Sequence, residues 1–196
     1  MDIIVGTNNH SKLKEMQDSI GNPTINLISY TTIINKLLNF EETGKTFREN
    51  AIEKATNYTN YIEQPVLADD GGLILEAFPE LLGIKTARFF SKGASDSQKN
   101  EELLKLLENK SDSRKLTLFS TISYVYPDGK VLLVEEKLEG ELAEKETGAL
   151  GYGFDRIFYL PNRGKTLAEL ADDERNSYSP RVCALKKIIQ LIEEES

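Results

Sequence analysis

Apolar residues recur along this chain with two periods. Short apolar runs bounded by turn residues read as strands, and apolar residues three and four apart read as helix faces. Asp2 to Gly6 is a short buried strand, and Thr7-Asn8-Asn9 is a turn. A helix then runs from about Ser11 to Ile20, with Gly21-Asn22-Pro23 as its stop signal. Ile25 to Ser29 is the next strand, and Phe40 to Lys45 is a loop. Thr46 with Glu49 is a capping box, and Ala51, Ala55, Tyr58 and Ile62 follow at helical spacing before Pro65. Pro65 to Ala68 reads as a strand that stops at Asp69-Asp70-Gly71-Gly72, with Leu73 to Leu75 extended beyond it.

Ser95 and Gln98 form a second capping box, ahead of a helix whose Leu103, Leu104, Leu106 and Leu107 face a core. Leu116 to Tyr126 and Lys130 to Glu139 flank Pro127-Asp128-Gly129, which is hairpin chemistry. Ser179-Pro180 is an N-cap with proline at the first helical position. Val182, Leu185, Ile189 and Ile192 give that last helix its buried stripe. The order of elements predicts an α/β fold, a mixed sheet with helices around it, in one domain over residues 1–196.

Charge narrows the choice of partners. The formal net charge is −8. An acidic surface repels a phosphate backbone, so no nucleic acid is expected as partner. A small anionic substrate then needs a locally basic site or a metal ion. The single Cys183 and single His10 exclude a disulfide, a multi-cysteine zinc site and a histidine-rich metal site. No apolar stretch approaches the roughly 20 residues that span a bilayer. No basic segment precedes the first strand, so the reading is a cytoplasmic chain without a signal peptide or membrane segment.

Five clusters carry candidate chemistry. Thr7, Asn9, Ser11 and Lys12 surround a strand-to-helix turn, with Glu15 one turn on. Unpaired N–H groups and the helix dipole favour an anion there. Taken alone, the cluster reads better as an ordinary capped turn with a surface lysine. Glu41-Glu42 and Asp69-Asp70 are adjacent carboxylates, which a fold tolerates most easily beside a cation. Magnesium takes one or two such carboxylates, with water and phosphate completing its shell. A solvated turn is the plain alternative. Gly151-Tyr152-Gly153-Phe154-Asp155 sets flat rings beside exposed backbone, suited to stacking on a purine or to a bulged core strand. Glu174 to Arg181 brings two arginines to a helix start, or forms a solvated loop.

In this order the clusters resemble the inosine triphosphate pyrophosphatase family. The matching pieces begin with Thr7-x-Asn9-x-x-Lys12-x-x-Glu15 and Glu41-Glu42-Thr43-Gly44-x-Thr46-Phe47-x-Glu49-Asn50-Ala51-x-x-Lys54-Ala55. Ala68-Asp69-Asp70-x-Gly72-Leu73, the Gly151 to Phe158 run, Gly164-Lys165-Thr166-x-Ala168-Glu169-Leu170 and Ser179-x-Arg181 complete the set. The resemblance implies an elongated mixed sheet, two helical lobes with a central nucleotide cleft, and a homodimer. It implies that Thr7, Asn9, Lys12 and Lys54 hold the triphosphate of a small-molecule nucleotide. Glu41 and Asp70 would hold Mg2+, with Asp70 and Lys54 catalytic. Gly71, Tyr152, Gly153, Phe154, Asp155, Arg175 and Arg181 would complete the substrate site. The implied reaction converts non-standard purine triphosphates (ITP, dITP, XTP) to monophosphate and pyrophosphate, a house-cleaning task.

The departures lie mostly at the base end. The family usually has Ser-His-Arg where this chain has Ser179-Pro180-Arg181, and it usually has lysine at Arg175, serine at Gly71, proline at Arg156 and glycine at Asn8. Two alternatives follow: a pyrophosphatase of the same fold with another base preference, or a non-enzymatic nucleotide-binding protein. The apolar residues of Phe78 to Phe90 either cover a partner subunit or fold inward.

Overall fold

The computed structural model describes residues 1–91, 93–108 and 113–195. The first strand is β1 (Asp2–Val5), followed by α1 (His10–Asp18), β2 (Asn26–Ser29) and the single turn α2 (Thr31–Ile34). Then come α3 (Phe47–Ile62), β3 (Val66–Leu75), the short α4 (Thr86–Phe89) and α5 (Asp96–Leu106). The strands β4 (Lys115–Val125) and β5 (Val131–Leu142) form the predicted hairpin. It closes where Tyr126 N–H donates to Lys130 C=O at 2.9 Å. The chain finishes with β6 (Phe158–Leu160), β7 (Lys165–Thr166), α6 (Asp172–Tyr178) and α7 (Pro180–Glu194). The seven strands form one open mixed sheet in the order β2-β1-β3-β4-β5-β6-β7. β1 is parallel to β2 and β3, whereas β5–β6 and β6–β7 are antiparallel. The expected α/β class holds.

The described residues fall into two compact units. The first takes in Met1–Gly71, Ser120–Glu136 and Pro180–Ser196, and the second Gly72–Phe119 and Lys137–Ser179. In the first unit Ile3, Val5, Met16, Leu67, Leu185 and Ile188 make one core. Val66 packs with Tyr58, and Ala68 with Ala55. Successive residues of a strand face opposite ways. Leu67 therefore looks toward α1 and α7, while Val66 and Ala68 look toward α3. In the second unit Leu73, Leu82, Phe90, Leu103, Ile157 and Phe158 are buried together. Phe78, Leu81 and Phe89 pack against that core, so the apolar 78–90 segment folds inward. Among the described residues no helix is long and apolar enough to cross a membrane.

Three local readings need correction. β3 does not stop at Asp69 but runs straight through Asp69-Asp70-Gly71-Gly72. The Thr46 cap is half a box: Thr46 Oγ1 accepts from Glu49 N–H at 3.0 Å, but Glu49 accepts from Lys45 N–H instead. Glu174 to Arg181, expected to border a helix start or to form a solvated loop, instead begins inside a helix, since residues 172–178 form α6, with three acidic residues in its first turn that suit the helix dipole. The predicted box at Ser95, by contrast, is complete: Ser95 accepts from Gln98 N–H, and Gln98 accepts from Ser95 N–H.

Candidate active site

The turn after β1 is built by its own side chains. Thr7 Oγ1 accepts from Asn9 N–H at 3.1 Å, and Asn9 Oδ1 caps α1 by accepting from Lys12 N–H at 3.1 Å. Thr7 is buried and Asn9 exposed. Asn8, which stands where the family usually has glycine, ties this turn to its surroundings. Its Nδ2 donates to Leu38 C=O at 2.7 Å, and its Oδ1 accepts from the Tyr30 hydroxyl. The cap orients α1 so that Lys12 and Glu15, three residues apart, lie on one helical face.

That face meets Asp69, which is only 1% exposed. Lys12 Nζ donates to Asp69 Oδ2 at 2.6 Å, and Ser120 Oγ of β4 donates to Oδ1 at 2.6 Å. Arg181, at the start of α7, brings Nε within 3.2 Å of the same Oδ2 and donates from Nη1 to Glu15 at 2.5 Å. Burial alone would raise the Asp69 pKa. Arg181, Lys12 and the two hydrogen bonds outweigh it and hold the carboxyl well below the usual range. Burial lowers the Lys12 pKa; Asp69 opposes that, while Arg181 and Lys54 add to it. These contacts explain how β3 carries a buried charge in mid-strand: the charge is fully matched.

Asp70 points the other way, toward α3. Its Oδ2 is buried and meets no donor at hydrogen-bonding geometry; the buried Asn50 amide lies close enough to oppose the rise in the Asp70 pKa, but neither of its polar atoms completes a hydrogen bond. Burial leads the rise in the Asp70 pKa, and the Glu42 carboxylate adds to it. Asn50 and Lys54 are four apart on α3 and share a face. Lys54 Nζ donates to Glu42 Oε1 at 3.1 Å and approaches Asp69 C=O at 3.4 Å. The loop carrying Glu41 and Glu42 is pinned by Glu53, which accepts from Thr43 N–H at 2.9 Å and from its hydroxyl at 2.7 Å. A side chain at Gly44 would meet Asn50 Oδ1 at 2.6 Å, so only glycine lets this loop lie against α3. Glu42 is thus committed to Lys54, while Glu41 is exposed.

The described residues contain no group of three or more His, Cys, Asp or Glu side chains placed to hold a metal. A magnesium ion does not require one, since one or two carboxylates with phosphate and water suffice. The unpartnered buried oxygen of Asp70, with acidic neighbours raising its pKa, is the donor that such an ion fits.

The second unit holds the aromatic cluster. Residues 151–155 are a turn, not the alternative bulged strand. Gly151 has φ +72°, and a side chain there would run into the Asp155 carboxylate. Asp155 Oδ2 accepts from Tyr152 N–H at 3.1 Å and lies 3.7 Å from Arg175 Nε. Arg175 also donates to Asp172 at 2.7 Å across one turn of α6. Phe154 packs on Phe90 at 5.9 Å between ring centroids, and Tyr152 is half-buried. Gly71 follows Asp70 in β3 and is half-buried.

The sequence-predicted residues therefore separate by unit. Lys12, Lys54, Asp70 and Arg181 gather around Asp69 or its neighbour, and Tyr152, Gly153, Phe154, Asp155 and Arg175 gather in the second unit. Arg181 lies with Glu15 and Asp69. Reasoning from sequence singled out Asp70 but gave no separate task to Asp69, Ser120, Asn50 or Glu42. The Asp69-Asp70 pair was the available signal: in a strand, adjacent carboxylates need two different environments. Nothing near Ser120 marks it in the sequence.

An open mixed α/β sheet with a lysine-rich, carboxylate-bearing site on one central strand defines an anion-handling protein of the nucleotide-hydrolase kind. The comparisons name the family. The Ham1 family pattern matches residues 3–191, and the chain belongs to that family. It is 36% identical to the dITP/XTP pyrophosphatase of Thermoanaerobacter sp. (strain X514) over 96% of this chain and 94% of that one. A HAM1 protein from Coxiella burnetii has a solved structure that superposes with TM-score 0.87 at 34% identity, covering 99% of both chains. The Staphylococcus aureus Ham1 protein gives TM-score 0.85 at 32% identity, with both chains fully covered.

Proposed function

We propose that this chain is a pyrophosphatase that hydrolyses the triphosphates of inosine, deoxyinosine and xanthosine to monophosphate and pyrophosphate, clearing them from the nucleotide pool. The observation that carries this reading is the group of two lysines and an arginine around buried Asp69, beside Asp70 with its unpartnered oxygen. Cations alone would suit an anion binder. A buried, unsatisfied carboxylate next to them suits hydrolysis of the bound anion.

Lys12 and Lys54 neutralise and orient the phosphate oxygens, with Thr7 and Asn9 at the capped turn. Burial, with the Arg181 and Lys54 charges, lowers the Lys12 pKa, and a bound phosphate offsets this by favouring the charged ammonium. Asp70 takes the proton of the attacking water. Glu41 and Asp70 would hold a magnesium ion, which would supply charge neutralisation of the triphosphate. Phosphoryl chemistry of this kind rests on positioning and electrostatics more than on covalent catalysis. Tyr152, Gly153, Phe154, Asp155 and Arg175 contact the base, with Gly71 and Arg181 as further contacts. Residues 1–196 act as one pyrophosphatase domain, a homodimer in the cytoplasm.

Release of pyrophosphate across a panel of inosine, xanthosine, adenosine and guanosine triphosphates, with and without magnesium, tests the reading. Rapid release from inosine and xanthosine triphosphates supports it. Release of orthophosphate, or no turnover of any of the four, overturns it.

A further inference from the structure

Gly153 is held from both sides by one helix. Its N–H donates to Asp96 Oδ2 at 2.7 Å, and its C=O accepts from Asn100 Nδ2 at 3.2 Å. Asp96 and Asn100 are four apart on α5, so they present both groups from one face. Gly153 has φ +62°, in the left-handed region, and the two contacts hold it there.

Asn100 is fully buried, with 0% of its surface exposed. Its Nδ2 also donates to Glu146 Oε1 at 2.7 Å, and Ser97 Oγ donates to the other oxygen of Glu146 at 3.1 Å. Among the described residues nothing meets its Oδ1. A buried amide with one acceptor unmet costs stability, which a leucine in this core would avoid. The unmet atom needs a reason, and the Gly153 carbonyl supplies one. Asp155 holds the Tyr152 N–H from within the turn. The polar backbone of Tyr152 and Gly153 is thereby fixed by the protein itself, so Gly153 can meet a base only by packing and polar recognition falls to the side chains around it.

We propose that Asn100, assisted by Asp96, is a positioning residue for base recognition: by clamping the Gly153 peptide it sets the Tyr152 and Phe154 rings on either side of it for a purine. The inference rests on the proposed pyrophosphatase activity. It separates the two ends of the substrate, because Asn100 acts on the base alone and leaves the phosphates untouched.

The test is the steady-state kinetics of the full-length protein on inosine and adenosine triphosphates, with inorganic pyrophosphate as inhibitor. In Asn100→Leu the KM for inosine triphosphate rises about tenfold, the usual scale for a lost buried hydrogen bond, while kcat changes little. The preference over adenosine triphosphate narrows, and inhibition by pyrophosphate stays as in the wild type. Asp96 is exposed, so Asp96→Ala tests the same clamp without touching the core; it shows the same split to a smaller degree. Asp96→Asn keeps an acceptor for Gly153 N–H and restores the wild-type KM. A wild type that turns over inosine triphosphate, with both Asn100→Leu and Asp96→Ala at wild-type KM and preference, overturns the clamp alone. So does a loss in which KM and pyrophosphate inhibition move together. A wild type inactive on inosine triphosphate overturns the pyrophosphatase reading, and the clamp with it.

Discussion

Lys12 Nζ stands 2.6 Å from Asp69 Oδ2, in the middle of a strand where a lone carboxylate would be ruinous. The pair reaches across 57 residues of sequence and joins the first helix to the third strand. Because strand residues alternate in direction, matching Asp69 on one face leaves Asp70 to serve the other.

Asp69→Asn keeps the shape but strands two cations. We expect a loss of about 3–5 kcal/mol in unfolding free energy at neutral pH, the usual cost of breaking a buried ion pair. The pH dependence follows from a folded pKa below the ordinary value of 3.8. The ionised group stabilises the fold above that value, and the stabilisation fades as the pH falls from there toward the folded pKa. Urea denaturation at pH 7 and pH 3 should show the gap between wild type and variant narrowing in acid. An equal gap at both values contradicts the assignment.

Asp70→Asn should do the opposite to stability. The folded pKa of Asp70 is raised, so ionisation is opposed by the fold. Its contribution is neutral below the unfolded pKa and becomes a penalty as pH rises through the folded one. In chelator at pH 7 the variant should melt higher than the wild type, and the advantage should vanish in acid. Pyrophosphate release should be lost. A variant that is both inactive and less stable places Asp70 among the structural residues.

Much of the frame was legible because local rules and packing agree. The β1 strand, the Ser95 cap and the β4–β5 turn at Pro127-Asp128-Gly129 each carry their own chemistry. β3 was misjudged at Asp69 because two carboxylates and two glycines look like a turn. The partners that make a strand there, Lys12, Ser120 and Arg181, come from distant parts of the chain. α6 was missed because all its residues but Tyr178 are polar and none is buried, so no apolar period marks it. Of the site, the residue types were readable but the division of labour between Asp69 and Asp70, or Glu41 and Glu42, depends on contacts.

Those contacts separate the two glutamates. Glu42 is paired with Lys54, whereas Glu41 is exposed. Excess chelator should abolish turnover, and magnesium should restore it. Glu41→Gln should raise the magnesium concentration needed for half-maximal rate by roughly tenfold, as for one lost hydrogen bond to a charged group. Glu42→Gln should lower the rate with little change in that concentration, because it disturbs Lys54. Titration of activity with magnesium in the two variants decides this; the reverse pattern moves the metal to Glu42.

With the proposed phosphate role of both lysines, Lys12→Ala and Lys54→Ala should weaken catalysis for every nucleotide alike. The loss should exceed what an exposed pair, worth about 0–1 kcal/mol, can explain. Catalytic efficiencies on inosine, xanthosine and adenosine triphosphates should fall in parallel. A variant that only reorders the bases contradicts the phosphate role.

The proposed base site makes the start of α7 the place to test selectivity. Hypoxanthine and xanthine carry a carbonyl oxygen where adenine carries an amino group, so a site made of donors rejects adenine. Each buried group left unpaired costs roughly 1–3 kcal/mol. Pro180 is buried at the first position of α7 and offers neither a side-chain donor nor its own N–H. Proline suits that position, so it loosens recognition without harming the helix. The preference for inosine over adenosine triphosphate should therefore be smaller than in a histidine-bearing relative, and Pro180→His should sharpen it. Arg181→Ala should nearly abolish it, but with a second effect that the contacts impose. Arg181 also steadies Asp69 and Glu15, so both efficiencies should fall together before the ratio is taken. Glu15→Gln separates the two effects: it slackens the tie at Glu15 while leaving the guanidinium in place, and should preserve the ratio. If Arg181→Ala lowers both efficiencies yet keeps their ratio, Arg181 is a brace for Asp69 and the base is read elsewhere.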